Sequence, residues 1–97
     1  MQRTYEVMFI VRPDMPEEEQ ERLISTLESQ VTAGGGKLAN VERMGKRRLA
    51  YQIEKKSEGF YAVVDLTAEP STVLELDRQL NLNEAVLRTK ILRPDAH

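Results

Sequence analysis

Three consecutive cations, Lys46, Arg47 and Arg48, stand directly before the apolar Leu49, and Arg88 and Lys90 stand two apart near the end of the chain. These are the residues whose types and spacing could do chemistry, and that chemistry is anion binding. A guanidinium presents a planar fork of donors that matches phosphate or carboxylate oxygens, and each phosphate neutralised releases counterions. In an extended chain Arg88 and Lys90 share one face, so together they would track neighbouring anions. The same alternation divides the triplet, with Lys46 and Arg48 on one face and Arg47 on the other. A more ordinary role for such residues is to keep sheet edges from pairing with other chains.

Other chemistries are poorly supplied. The chain has no cysteine, which removes thiolate nucleophiles, disulfides and cysteine metal sites. A lack of disulfides suits a reducing cytoplasm. Its one histidine, His97, is the last residue, a poor place for a catalytic base or a zinc ligand. Glu17, Glu18, Glu19 and Glu21 point around a helix rather than converging on a metal. Gly34–Gly36 follow a helix rather than a strand and precede no Lys-Ser/Thr pair, so they do not form a phosphate loop. Neither metal, cofactor nor catalytic residue is expected, and no run of apolar residues is long enough to cross a membrane.

The elements that must position the cations follow from the apolar periodicity. Ninety-seven residues make a single domain, residues 1–97. Thr4–Arg12 reads as a strand, with Tyr5, Val7, Phe9 and Val11 on one face and Glu6, Met8 and Ile10 on the other. A helix follows, with Asp14 as its N-cap, Pro16 in its first turn and an apolar stripe of Leu23, Ile24, Leu27 and Val31. The three glycines end it. Lys37–Ile53 reads as a long strand with a bulge or bend at Gly45. Residues 54–59 read as a polar turn, and Gly59–Leu66 as a strand. Residues 69–81 read as a second helix striped by Val73, Leu76 and Leu80. The last strand places Leu87, Thr89 and Ile91 opposite Arg88 and Lys90, and Pro94 stops it.

Strand-helix-strand-strand-helix-strand at this spacing is the split βαβ, or ferredoxin-like, α+β sandwich: a four-stranded antiparallel sheet with both helices on one face. The predicted sheet order is fourth, first, third, second strand. One face is left without helices and carries Met8, Ile10, Tyr61, Val63, Arg88 and Lys90. Met8, Ile10, Tyr61 and Val63 would form an exposed docking patch for a partner protein. Tyr5, Tyr51 and Phe60 are read as core aromatics.

Net charge is −2, yet it is unevenly spread. Asp14–Glu28 holds six acids and one base, Glu42–Lys56 six bases and two acids, and Val86–Arg93 three bases and no acid. A polyanion senses the local patch because screening acts beyond about 8–10 Å at physiological salt. The expectation is that acidity sits on the helical side, leaving the hairpin and the last strand to meet a polyanion.

Three segments together, MQRTYEVMFIVRPD, MGKRRLAYQIEKKSEGFY and NLNEAVLRTKILRP, resemble the bacterial small-subunit ribosomal protein six family. The middle block weighs most, through Gly45, Arg47, Arg48, Leu49, Ala50, Tyr51, Ile53, Lys55, Gly59 and Phe60. The resemblance spans essentially the whole chain. It implies a ferredoxin-like fold, no enzymatic activity, a place on the central domain of small-subunit ribosomal RNA, and pairing with ribosomal protein eighteen. It also implies RNA contacts from Arg3 and Arg88, with Lys46, Arg47 and Arg48 as further RNA or partner contacts. Where some relatives carry a larger aromatic, this chain has Val63. The cytoplasmic ribosome is the implied location, and weak self-association through the open face is expected when the chain is isolated. The competing reading is a non-ribosomal ferredoxin-like module that binds proteins or senses a small ligand.

Overall fold

The computed structural model describes residues 1–93. The expected stop at Pro94 and the position of His97 lie outside them. The order is β1 (Arg3–Val11), α1 (Glu17–Ala33), β2 (Lys37–Ile53), β3 (Lys56–Ala68), α2 (Pro70–Leu82) and β4 (Val86–Leu92). The strands form one antiparallel sheet in the order β2-β3-β1-β4. This is the ferredoxin-like arrangement read from the sequence.

Both helices pack on one sheet face. β1 contributes Tyr5, Val7, Phe9 and Val11 to the core, and β3 contributes Ala62, Val64, Leu66 and Ala68. Ile24, Leu27 and Val31 of α1, with Val73, Leu76 and Leu80 of α2, close over them. Burying each such Val, Leu or Phe side chain contributes about 1.5–3 kcal/mol. The period-2 stripes of the strands and the 3.6-residue stripes of the helices therefore meet in one layer.

Several local readings are corrected. Asp14 does not cap α1. Pro16 holds the N-cap position with no side-chain cap, its carbonyl accepting from the Glu19 and Gln20 amides at 3.0 and 3.1 Å. At the other end Gly34 stays at φ −83°, and Gly35 takes the left-handed turn at φ +82°. The Gly36 amide then returns to the Val31 carbonyl at 2.8 Å.

The connection from β2 to β3 is tighter than the polar turn expected at residues 54–59. Ile53 pairs with Lys56, leaving only Glu54 and Lys55 between them, at φ 51° and 66°. Two successive left-handed residues make a type I′-like turn, whose twist matches that of the flanking strands. In β4 the register shifts between Ile10 and Val11: Ile10 pairs with Arg88, but Val11 pairs with Val86. Leu87 is the extra residue, so Val86 rather than Leu87 packs against the core.

Candidate nucleic-acid interface

The bulge at Gly45 aims the cationic hairpin. Gly45 sits at φ +81°, and the β2–β3 register shifts between Arg43 and Gly45. A side chain at this left-handed backbone position would be strained. β1 ends at Val11, opposite Phe60, so the hairpin beyond Lys46 projects as an arm past the central strand. The arm crosses the open face. Leu49, Tyr51 and Ile53 line one cleft together with Met8 and Ile10 of β1, Tyr61 of β3, and Arg88 and Lys90 of β4. The Arg88 guanidinium lies 5.8 Å from the centre of the Tyr51 ring, a cation–π distance.

Gly59 permits this crossing. A Cβ there would stand 2.5 Å from Ile10 Cγ2 and 3.0 Å from the Val11 carbonyl oxygen. The arm can bend over Ile10 only where no side chain intervenes.

The register confirms the composition of the open face. Met8 pairs with Val63 on one side and Lys90 on the other, and Ile10 pairs with Tyr61 and Arg88. Their exposure differs from expectation at one position. Ile10 is 3% exposed, buried beneath the arm with Leu49, and so is not a surface docking residue. Met8, Tyr61 and Val63 remain half-exposed. Tyr51, expected in the core, is 59% exposed. The alternation of Leu49, Tyr51 and Ile53 could not reveal this, because the arm covers the sheet with only part of its length.

The cations divide as the alternation required. Lys46 pairs with Phe60, which packs against the core, and its ammonium lies 5.4 Å from that ring's centre. Arg47 opposes Gly59 and donates through Nε to the Met44 carbonyl at 3.2 Å; Arg48 opposes Glu58. Among the described residues Arg47, Arg48, Arg88 and Lys90 enter no ion pair. By contrast, Arg43 forms a bidentate pair with Glu21 of α1 at 2.5 Å. Its hydrogen bonds hold the Glu21 carboxyl below its ordinary pKa. Arg78 does the same to Glu75 within α2, pulling that carboxyl down to about 2, with Gln79 assisting.

Arg3 stands apart. It opposes Ala68 and shares the strand parity of Tyr5 and Val7, on the helix side. It lies seven residues from Ile10, or ~23 Å along an extended strand. The fold therefore does not join Arg3 to the arm or to Arg88, which pairs with Ile10. Nor is acidity confined to the helices: Glu6 and Asp65 face each other across β1 and β3, and Glu42 opposes Val63. The open face is cationic at its arm end and acidic at the other.

A second cavity, of about 270 Å³, lies between α1 and the sheet, with Phe9, Val11, Ile24, Phe60 and Ala62 among its walls and the Arg43–Glu21 pair at its edge. Its arginine and one of its glutamates satisfy each other, and Glu17 also lines it.

Comparison with known proteins places this architecture. The Ribosomal protein S6 family model matches residues 4–93. The small ribosomal subunit protein bS6 of Streptomyces coelicolor is 57% identical over 95 residues, covering 98% of this chain and 99% of that protein. The protein of the same name from Thermobifida fusca is 58% identical, with the same coverage. The crystal structure of 30S ribosomal protein S6 from Thermotoga maritima superposes with a TM-score of 0.86 at 35% identity, over 96% of this chain and 88% of that one. An uncharacterized Thermotoga maritima protein shares the fold at a TM-score of 0.62 and 15% identity, over 98% of this chain and 100% of that one. With the family model spanning residues 4–93, a relative 57% identical over nearly the whole of both chains and the same fold in a solved member, the chain belongs to the ribosomal protein S6 family, structural proteins of the small ribosomal subunit.

Proposed function

We propose that the chain works by binding alone, holding the central domain of small-subunit ribosomal RNA together with ribosomal protein eighteen on the cytoplasmic ribosome. One observation carries this reading: the arm and β4 bear four cations, Arg47, Arg48, Arg88 and Lys90, with no ion-pair partner among the described residues, whereas Arg43 and Arg78 on the helical side are neutralised. Uncompensated arginines on a rigid sheet fit phosphates at little reorganisation cost. Such contacts position a protein on RNA without reading its sequence, so specificity would come from the shape of the RNA junction and from the partner.

Met8, Val63 and Tyr61 supply the apolar strip on which ribosomal protein eighteen would dock, between the cationic and the acidic ends of the open face. Lys46, seated on Phe60, would contribute charge from the outer side of the hairpin. Arg3, at the remote end of β1, would make a separate RNA contact.

RNA affinity measured against salt, with the partner protein present, tests the reading. The expected result is a steep fall as salt rises, with Arg88→Ala weakening binding and reducing the log–log slope by about one. Wild-type affinity that is absent or indifferent to salt would overturn it.

A further inference from the structure

The cleft beneath the arm has a composition that phosphate binding alone does not require. Its volume is about 190 Å³, below the ~300–1,000 Å³ of sites that enclose a drug-sized molecule. It suits one ring system rather than a whole cofactor. Ile10 and Leu49 make its inner walls apolar, Tyr51 contributes an exposed phenol ring, Met8 and Tyr61 border it on the side it shares with the apolar docking strip, and Arg88 stands at its edge. Tyr51 is largely exposed, yet it is held against the Arg88 guanidinium. An exposed tyrosine beside an arginine without a carboxylate partner leaves an aromatic face and a positive charge presented together.

We propose that this cleft captures one unstacked RNA base, with the phosphate of the same nucleotide on Arg88 and Lys90. A nucleotide joins a flat π-system to an anion, and the cleft joins aromatic rings to cations in the same order. Stacking on aromatic side chains tolerates any base, so the cleft recognises a base turned out of its helix rather than a particular sequence. The arm makes the capture conditional on fold, because Gly59 lets Tyr51 reach across to β4. This inference rests on the RNA-binding reading above and goes beyond it in assigning a base contact.

The experiment compares Tyr51→Leu with Arg88→Gln in the full chain, on central-domain small-subunit ribosomal RNA with the partner protein present. Tyr51 is exposed, so its replacement should leave the melting temperature unchanged. The expected result is a loss of RNA affinity of about 5- to 100-fold for Tyr51→Leu with an unchanged salt slope. Chemical probing should show one unpaired base protected by the wild type and released by that variant. Arg88→Gln should instead lower the slope by about one. Wild-type affinity for Tyr51→Leu beside a weakened Arg88→Gln would overturn base capture and leave phosphate binding standing. Loss of partner-protein binding in Tyr51→Leu, with RNA affinity intact, would assign the cleft to protein and equally overturn it. Absence of RNA binding by the wild type would remove the underlying reading instead.

Discussion

The two faces of the sheet solve different problems with the same strands. On the helix side, alternate residues of β1 and β3 disappear into a continuous apolar layer, and the nearby arginines are tied to glutamates. On the open side, cover comes only from the arm; Ile10 is buried, Met8 and Val63 are half-exposed, and Arg47, Arg88 and Lys90 have no ion-pair partners among the described residues. One face is finished by folding, and the other keeps part-exposed apolar side chains beside cations without ion-pair partners among the described residues. The difference teaches that burial and charge pairing, not residue type, separate the structural members of this chain from those available for binding. Arg43 and Arg47 stand four residues apart on one strand, and only Arg43 is held in an ion pair.

The comparison can be broken most severely at Ile10. Replacing it with Asp would place a charge under the arm, with an expected cost of about 4 kcal/mol or more. Met8→Asp, two residues along the same face, should cost less than about 1 kcal/mol because that side chain is half in water. Denaturant unfolding of the two variants measures the contrast, and equal midpoints would mean the arm does not cover Ile10. Leu66→Ala, in the core on the helix side, should cost about 2–5 kcal/mol in the same measurement.

Gly59→Ala probes the crossing itself. The added methyl meets Ile10 and the Val11 carbonyl, with an expected cost of about 1–3 kcal/mol for overpacking. It should also make the Tyr51 ring more accessible in fluorescence quenching, and an unaltered quenching constant would argue that the arm is held by other contacts.

The charge contrast is sharpened by Arg47→Ala and Arg43→Ala in salt-dependent RNA binding. The first should reduce the slope by about one, and the second should leave it unchanged because Glu21 already holds that guanidinium. Equal effects would erase the distinction between the faces.

The smallest expected effect lies on α2. Glu75 should titrate near pH 2 in carboxyl-resolved NMR and move part of the way back toward 4.5 in Arg78→Ala, since the Gln79 hydrogen bond remains. A carboxyl lowered by folding adds stability above its unfolded titration, and that contribution is lost as pH falls from about 4.5 toward 2. This pair is exposed, so the effect on global unfolding should be slight.

Most of the framework was legible in the residues. The stripes Tyr5-Val7-Phe9-Val11 and Val73-Leu76-Leu80 specified strand and helix because burial imposes periods of 2 and 3.6, and β2 ended at Lys37 and Ile53 as read. Gly45 announced its bulge. The misreadings were of another kind. Asp14 looked like a cap, but Pro16 occupies that position. Leu87 sat in phase with Thr89 and Ile91 until a bulge exchanged it for Val86. Ile10 is buried and Tyr51 exposed against what their local alternation suggests, because no local pattern reports what crosses above a sheet.

The sequence by itself determined the two-layer sandwich, its apolar core and the gathering of cations on a hairpin and a last strand. It could do so because these follow from periodicity and local backbone preference. Only the tertiary structure decided that the hairpin folds across the open face, burying Ile10, leaving Tyr51 beside Arg88 and separating Arg3 from the cations of the arm and from Arg88. Those outcomes depend on contacts between residues distant in the chain, among them a missing side chain at Gly59 that matters only because Ile10 lies beneath it.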